Sequence, residues 1–289
     1  MKLIVFTLLC ISCFCAEAQN TFLAKEDKRL AKLFEKVFHS KYLDRQEIAE
    51  KWQPMLEKEM IQLLQKKESS AFPFAELFKQ IDIIYSPDSS FRLFTWNTRL
   101  GGSIPEIYTL LQYNNKGEVY AKDINDRMLD GMEMDRSIKY NSIVKVDSNS
   151  YLFRGYSRYG SLVSSASLAL FKLENGEPVP IENAFEMRDF ENNKKFESAL
   201  YMNYTPDDPF IPVVVGETKK WPNIDSINTA YKSIHRYDTI CSYIKYDINT
   251  KVLAYPETGH ENEDGSYSGM TGKMLHLHYN GQVFTRKEE

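Results

Sequence analysis

Cysteine is almost missing from the body of this 289-residue chain: of its four, Cys10, Cys13 and Cys15 crowd into the first fifteen residues and only Cys241 lies beyond them. One thiol closes no internal disulfide, so the folded protein must be held by packing. Blocks of like charge are missing too. The 36 Lys+Arg and 40 Asp+Glu leave a net charge of −4 with no run of one sign, which excludes the basic footprint of a phosphate-backbone binder. No nucleic-acid partner is expected. Past the first residues, no apolar run approaches the roughly 20 residues of a membrane-spanning helix, so no membrane span is expected either.

Nucleophile and phosphate motifs are equally scarce. "GYSRYG", residues 155 to 160, misses the Gly-x-Ser-x-Gly elbow by one residue and leads into the strand-like "SLVSSASLALF", so Ser157 reads as a surface turn residue. "GMTGK" ends at Lys273 with Tyr267 where a phosphate loop needs its first glycine. Cys241 beside His235 offers a nucleophile and a base, but a lone cysteine in the alternating "TICSYIKY" is better read as a small packed side chain. No cofactor is expected.

What the chain does have begins at its start. "MKLIVFTLLCISCFCAEAQN" carries Lys2, an apolar run from Leu3 to Cys15, and Ala16-Glu17-Ala18 before Gln19. That is the layout of a secretory signal peptide over residues 1–18. An exported protein, periplasmic or extracellular, is therefore expected. A lipoprotein acylated at Cys13 is the lesser alternative, because Cys10 stands where such signals carry leucine.

From about residue 22 to 66 the apolar positions follow a helical period. Leu30, Leu33, Phe34, Val37, Phe38 and Tyr42 line one face, and Ile48, Trp52, Leu56, Met60, Leu63 and Leu64 line another. Asp44 with Glu47 three residues on resembles a capping box, and Pro54 predicts a kink or a restart. Beyond Ser86-Pro87-Asp88, a turn signal, the pattern becomes alternation over short runs rich in aromatic and β-branched residues. Arg92, Phe94, Trp96 and Thr98 fall on one face of the first run, and Phe91, Leu93, Thr95 and Asn97 on the other. "TLLQYNNKGEVYAKDI", "LALFKLENGEPVPIE", "YIKYDINTKVLAYPE" and "LHLHYNGQVFTRK" each place Asn or Gly between two strands, as tight hairpins require. Their turns lie 59, about 74 and about 31 residues apart, too irregular for a blade repeat. The expected fold is α+β: a helical N-terminal hairpin over 19–84, then an antiparallel β domain of consecutive hairpins over 85–289 packed with the helices. A degenerate β-propeller is the alternative.

"SPDSSFRLFTWNTRLGG", residues 86 to 102, resembles a segment of uncharacterised exported β-rich proteins of Bacteroidetes-type bacteria. Their pattern is Ser-Pro-Asp-Gly-x-Phe-Arg, an aromatic strand, Trp and a Gly-Gly pair. Ser86, Pro87, Asp88, Phe91, Arg92, Trp96, Gly101 and Gly102 match, and Ser89 replaces the usual glycine. The resemblance implies an exported, β-rich protein and brings no assigned activity or site residues.

Two imidazoles stand one residue apart in "MLHLHYNGQVF". A two-residue turn at Asn280-Gly281 would set His278 opposite Val283 and His276 opposite Thr285, with Leu275, Leu277, Tyr279 and Phe284 on a buried face. Zinc would need a third ligand from the preceding polar loop, so His260, His276 and His278 form the runner-up metal reading behind a solvent-facing strand pair. A calcium loop at the same place fails because His260 and Thr271 stand where oxygen ligands belong. The remaining excess is aromatic, with 18 Tyr and 17 Phe, Trp96 and Trp221 among the rings read first as strand packing. Exposed rings on a sheet also stack on sugars or grip an extended peptide. The expected function is thus a non-catalytic binding or envelope-associated module for a glycan or peptide. The alternative is an exported hydrolase whose site is not visible as a motif.

Overall fold

A computed structural model of the chain describes residues 21–38, 43–124, 128–129, 132–133, 136–159, 163–188, 194–204, 244–258 and 270–287. The protein is a β-rich α+β fold built mainly of antiparallel sheets. It divides into two compact units. The first runs up to Leu100 and adds Tyr108–Ile124 and Asn175–Glu177; the second takes the remainder.

The first unit opens with α1 (residues 21–38), α2 (Arg45–Glu47) and α3 (Gln53–Leu64). Asp44 caps α2 by accepting from the Glu47 amide at 2.7 Å, filling a donor that a helix start leaves open. Glu47 does not reach back to complete the box; its carboxylate accepts from Trp52 Nε1 at 3.0 Å instead. Between α2 and α3 the chain widens into one π-turn, Ile48–Trp52, and α3 restarts with Pro54 in its first turn, where a missing N–H costs no helical bond. Buried Asp27 in α1 accepts from the amides of Glu76 (3.0 Å) and Leu77 (2.8 Å), tying α1 to the 3₁₀ turn Leu77–Lys79.

Four strands follow in sheet order: β1 (Asp82–Tyr85), β2 (Phe91–Asn97), β3 (Ile107–Asn115) and β4 (Glu118–Asp123). The β1–β2 link is the expected turn, with the Ser89 amide donating to Ser86 O at 2.9 Å around Pro87. Ser89 has φ 57°, the left-handed backbone that explains why glycine is usual there. Lys116 and Gly117 join β3 to β4 with φ of 52° and 90°, a two-residue turn of the favoured hand. Ile83, Phe94, Trp96, Tyr108, Leu110 and Ala121 share one core with Leu30, Phe34, Leu56, Met60 and Leu64. Phe34 meets Trp96 edge-on at 5.3 Å, and Trp96 Nε1 donates to Gln53 Oε1 at 3.1 Å. Within that core Arg92 is 3% exposed.

The second unit holds a two-stranded ribbon, β5 (Met128–Leu129) with β6 (Met132–Glu133). After it come β7 (Lys139–Lys145), β8 (Ser150–Tyr159), β9 (Val163–Glu174), β10 (Glu177–Pro180), β11 (Phe185–Arg188), β12 (Lys194–Glu197) and β13 (Ala199–Tyr204). The last are β14 (Lys245–Asp247), β15 (Val252–Thr258), β16 (Met270–Tyr279) and β17 (Phe284–Thr285). One five-stranded sheet has the order β10-β9-β8-β7 with β13 also on β9; a six-stranded sheet has the order β12-β11-β17-β16-β15-β14. Leu152, Leu168, Leu170, Leu200 and Met202 of the former pack into one core with Phe185, Leu253, Tyr255, Leu277 and Phe284 of the latter, the arrangement of a two-layer β-sandwich. Tyr279 Oη donates to Asp147 Oδ2 at 2.7 Å and lies in hydrogen-bond contact with Ser150 Oγ at 3.1 Å, and Arg154 Nη1 donates to Ile244 O at 3.1 Å. These bonds join polar groups across the layers, where an unpaired one would be costly.

Sheets of four, five, six and two strands do not repeat as blades, and among the described residues no propeller or closed barrel forms. The propeller alternative is set aside. Among the described residues no helix is long and apolar enough to cross a membrane.

Candidate functional site

The histidine hairpin keeps its expected faces and changes its register. Tyr279 pairs with Phe284 and His278 with Thr285, so His278 does not face Val283. The loop spans Asn280 to Val283 because the Asn280 side chain builds its own turn: Oδ1 accepts from the amides of Gln282 (2.9 Å) and Val283 (3.0 Å). A slip of two residues preserves parity, since side chains alternate with period two. Leu277 and Phe284 are therefore fully buried and His276 is exposed, with His278 half-buried. On β15, Ala254 stands opposite His276 and Val252 opposite His278, offering no ligand atom. Among the described residues no three His, Cys, Asp or Glu side chains converge. His260 lies outside the described residues, as do Cys241, His235 and Trp221.

Ser157 corrects the expectation of a surface turn: it lies within β8 and is 1% exposed. Gly155 beside it lets the chain pack closely, because a Cβ there would meet Ile138 Cγ2 at 2.7 Å. The strand continues and no helix follows, so Ser157 has no elbow to present it. Residues 270–273 of "GMTGK" lie in β16, a strand rather than a phosphate-cradling loop. The large rings are mostly core. Trp96, Tyr108 and Tyr140 are buried, while the exposed Tyr85, Tyr120, Phe196 and Tyr201 sit on β1, β4, β12 and β13. Tyr120 stacks on Tyr113 at 5.2 Å and donates to Glu118 at 2.8 Å.

The site that a motif search passes over lies on the helices. Phe22, Glu26 and Arg29 recur at helical spacing along α1, and Glu59, Gln62, Leu63 and Lys66 do so along α3 and just past its end. Together with Gln65 they line a cleft of about 430 Å³, within the roughly 300–1,000 Å³ of small-molecule sites. Leu63 is buried, whereas Phe22 stands 44% exposed.

Charge in the cleft is arranged in contacts. Arg29 donates to Glu26 Oε2 from Nε at 2.9 Å and from Nη2 at 2.8 Å, and the same Nη2 lies 2.7 Å from Glu59 Oε2. Arg29 is thus bound to both carboxylates, with Glu59 Oε2 buried against it. The Arg29 pKa is raised, chiefly by the hydrogen bond to Glu26, with Glu59 adding to it against partial desolvation. Lys66 Nζ lies 5.2 Å from the centroid of the Phe22 ring, a cation–π contact. What remains to meet a ligand is the open Phe22 ring and the exposed side chains of Gln62 and Gln65, the latter also donating from Nε2 to Ala121 O at 3.5 Å.

Sequence reasoning missed this cleft because polar residues at i, i+3, i+4 and i+7 read as an ordinary solvated helix face. The one available signal was Phe22, an aromatic off the apolar stripe. Compared with models of known protein families the chain matches none, and it matches no curated protein.

Proposed function

We propose that this is an exported, non-catalytic binding module, akin to the β-rich exported proteins that residues 86–102 resemble, and that its ligand is a glycan or a peptide. The observation that carries the reading is the α1–α3 cleft. It presents an exposed ring, the exposed side-chain amide of Gln62 and a fixed guanidinium–carboxylate cluster. Such groups orient a ligand by stacking and hydrogen bonding. A hydrolase needs a nucleophile held by a base, or an acid and a base free to exchange protons. Among the described residues no Ser, Thr, Cys or His lines this cleft, and Glu26 and Glu59 both lie against Arg29.

The test is a glycan array and a peptide library run on the purified protein, beside peptide, ester and glycoside substrates. Saturable binding without turnover is expected. Turnover that Glu26→Gln or Glu59→Gln abolishes would reverse the reading in favour of an exported hydrolase. Export itself is checked by fractionation and by the N-terminus of the mature chain, expected at Gln19.

A further inference from the structure

We infer that the α1–α3 cleft takes an uncharged saccharide, with the Phe22 ring as the stacking platform and Gln62 and Gln65 as the hydroxyl-reading groups. This rests on the binding reading above and narrows its ligand to one class.

Charge is the first argument. The lining holds two acidic and two basic side chains, Glu26 and Glu59 against Arg29 and Lys66, so its formal sum is zero. Arg29 already contacts both carboxylates, and Lys66 sits on a ring. An anionic ligand would have to displace a carboxylate from Arg29, and a cationic one would have to compete with Arg29 for it. Either exchange gives back a contact for each one gained. An uncharged ligand gives back none.

The second argument is the form of the walls. Peptides are commonly held by strand addition, which needs a row of open backbone donors and acceptors, or as a helix in an apolar groove. Walls made of α1 and α3 offer no strand edge, because helical backbone groups are bonded within the helix. Nor is the groove apolar: among the described residues Phe22 and Leu63 alone are apolar in its lining.

A sugar ring matches what is left. Its hydroxyls donate and accept at once, and so does each glutamine amide, with two N–H donors and a carbonyl oxygen. The apolar C–H face of a pyranose lies flat on an aromatic ring, and Phe22 is open to solvent with Lys66 on its ring. Gln62 and Gln65 flank Leu63 on the turn of helix beside that ring.

The experiment is isothermal titration calorimetry of the full protein with neutral glucan, mannan, xylan and galactan fragments, with uronate-bearing and sulfated counterparts, and with short peptides. At least one neutral fragment is expected to bind. Phe22→Ala and the Gln62→Ala, Gln65→Ala pair should each weaken it roughly tenfold or more, Phe22→Trp should restore it, and moving from low to high salt should change the affinity by less than about twofold. The substituted positions are exposed, so an unchanged Tm certifies the fold. Binding confined to peptides or charged glycans overturns the saccharide assignment while leaving a binding module in place. Neutral-sugar binding that survives both sets of substitutions moves the sugar off this cleft and overturns the site. No binding to any neutral fragment overturns the assignment, and hydrolysis of any of these probes overturns the binding reading with it.

Discussion

Replacing Arg92 by Met should be among the most damaging single changes in the first unit. The guanidinium donates to Gln112 Oε1 at 2.6 Å, to Phe72 O at 2.7 Å, to Tyr85 Oη at 3.0 Å and to Ser69 O. It also lies within 5.4 Å of the ring centroids of Phe74, Phe94 and Tyr85. Its partners are neutral, and desolvation by burial lowers its pKa. Gln112 passes the network on, donating to Leu64 O at 2.5 Å and Ser69 Oγ at 2.8 Å. The group thus ties β2 and β3 to the end of α3 and the turn after it. Methionine fills the stem's volume but leaves the acceptors of Ser69, Phe72 and Gln112 without this donor. At about 1–3 kcal/mol for each unmet buried acceptor, less the relief of no longer burying a charge, the net loss is about 3–5 kcal/mol. Arg92→Lys keeps the charge but not the planar fork, and should cost about 2–3 kcal/mol. Urea unfolding at neutral pH, followed by tryptophan fluorescence, measures both. A methionine variant within about 1 kcal/mol of the parent would refute the network as a source of stability.

Further outcomes are specific to single atoms. Gly101→Ala should destabilise by about 2–4 kcal/mol, because a Cβ there would strike the backbone of Ile104, Pro105 and Glu106, whereas Gly102→Ala, with nothing within 4 Å, should be silent; thermal melts decide it. Tyr279→Phe, losing the bond to Asp147, should cost about 1–2 kcal/mol in the same assay. Burial first, then Asp147 and Asp247, pushes the Tyr246 pKa up to about 12; burial first, with the contacts to Asp147 and Tyr246 adding to it, pushes Tyr279 up to about 12. Both rise above the unfolded value near 10, so their contribution is complete below pH ~10 and is lost as pH rises through ~12. Tyrosinate absorbance during alkaline titration should show late-titrating groups, one fewer of them in Tyr279→Phe. Ser89→Gly should raise stability by about 0.5–1 kcal/mol by relieving its left-handed backbone, and Ser89→Val should lower it. His276→Ala with His278→Ala should leave urea stability within about 0.5 kcal/mol, and a zinc-dependent rise in Tm that this double variant abolishes would restore the metal reading.

Local signals were legible wherever the cause was local. Asp44 announces a helix start because its carboxylate reaches an amide three residues on, and Pro54 announces a restart because it has no N–H to give. Alternation in "LHLHY" places leucines and imidazoles on opposite faces whatever the register. The departures at Ser157 and Arg92 are non-local. Ser157 looks like a turn residue beside Gly155, yet both faces of β8 are covered there and the strand runs on. Arg92 looks like the polar member of an alternating strand, and only acceptors from Ser69, Phe72 and Gln112 make its burial possible.

Period and turn chemistry by themselves marked the N-terminal helices, the turns at Ser86–Asp88 and Lys116–Gly117, and the two faces of β16, because these follow from dihedral preference and side-chain spacing over a few residues. Tertiary structure alone decided the burial of Arg92 and the meeting of Phe22 and Arg29 with Glu59 and Gln62 in one cleft. Those depend on which distant groups share a volume, and no short window of sequence contains both partners.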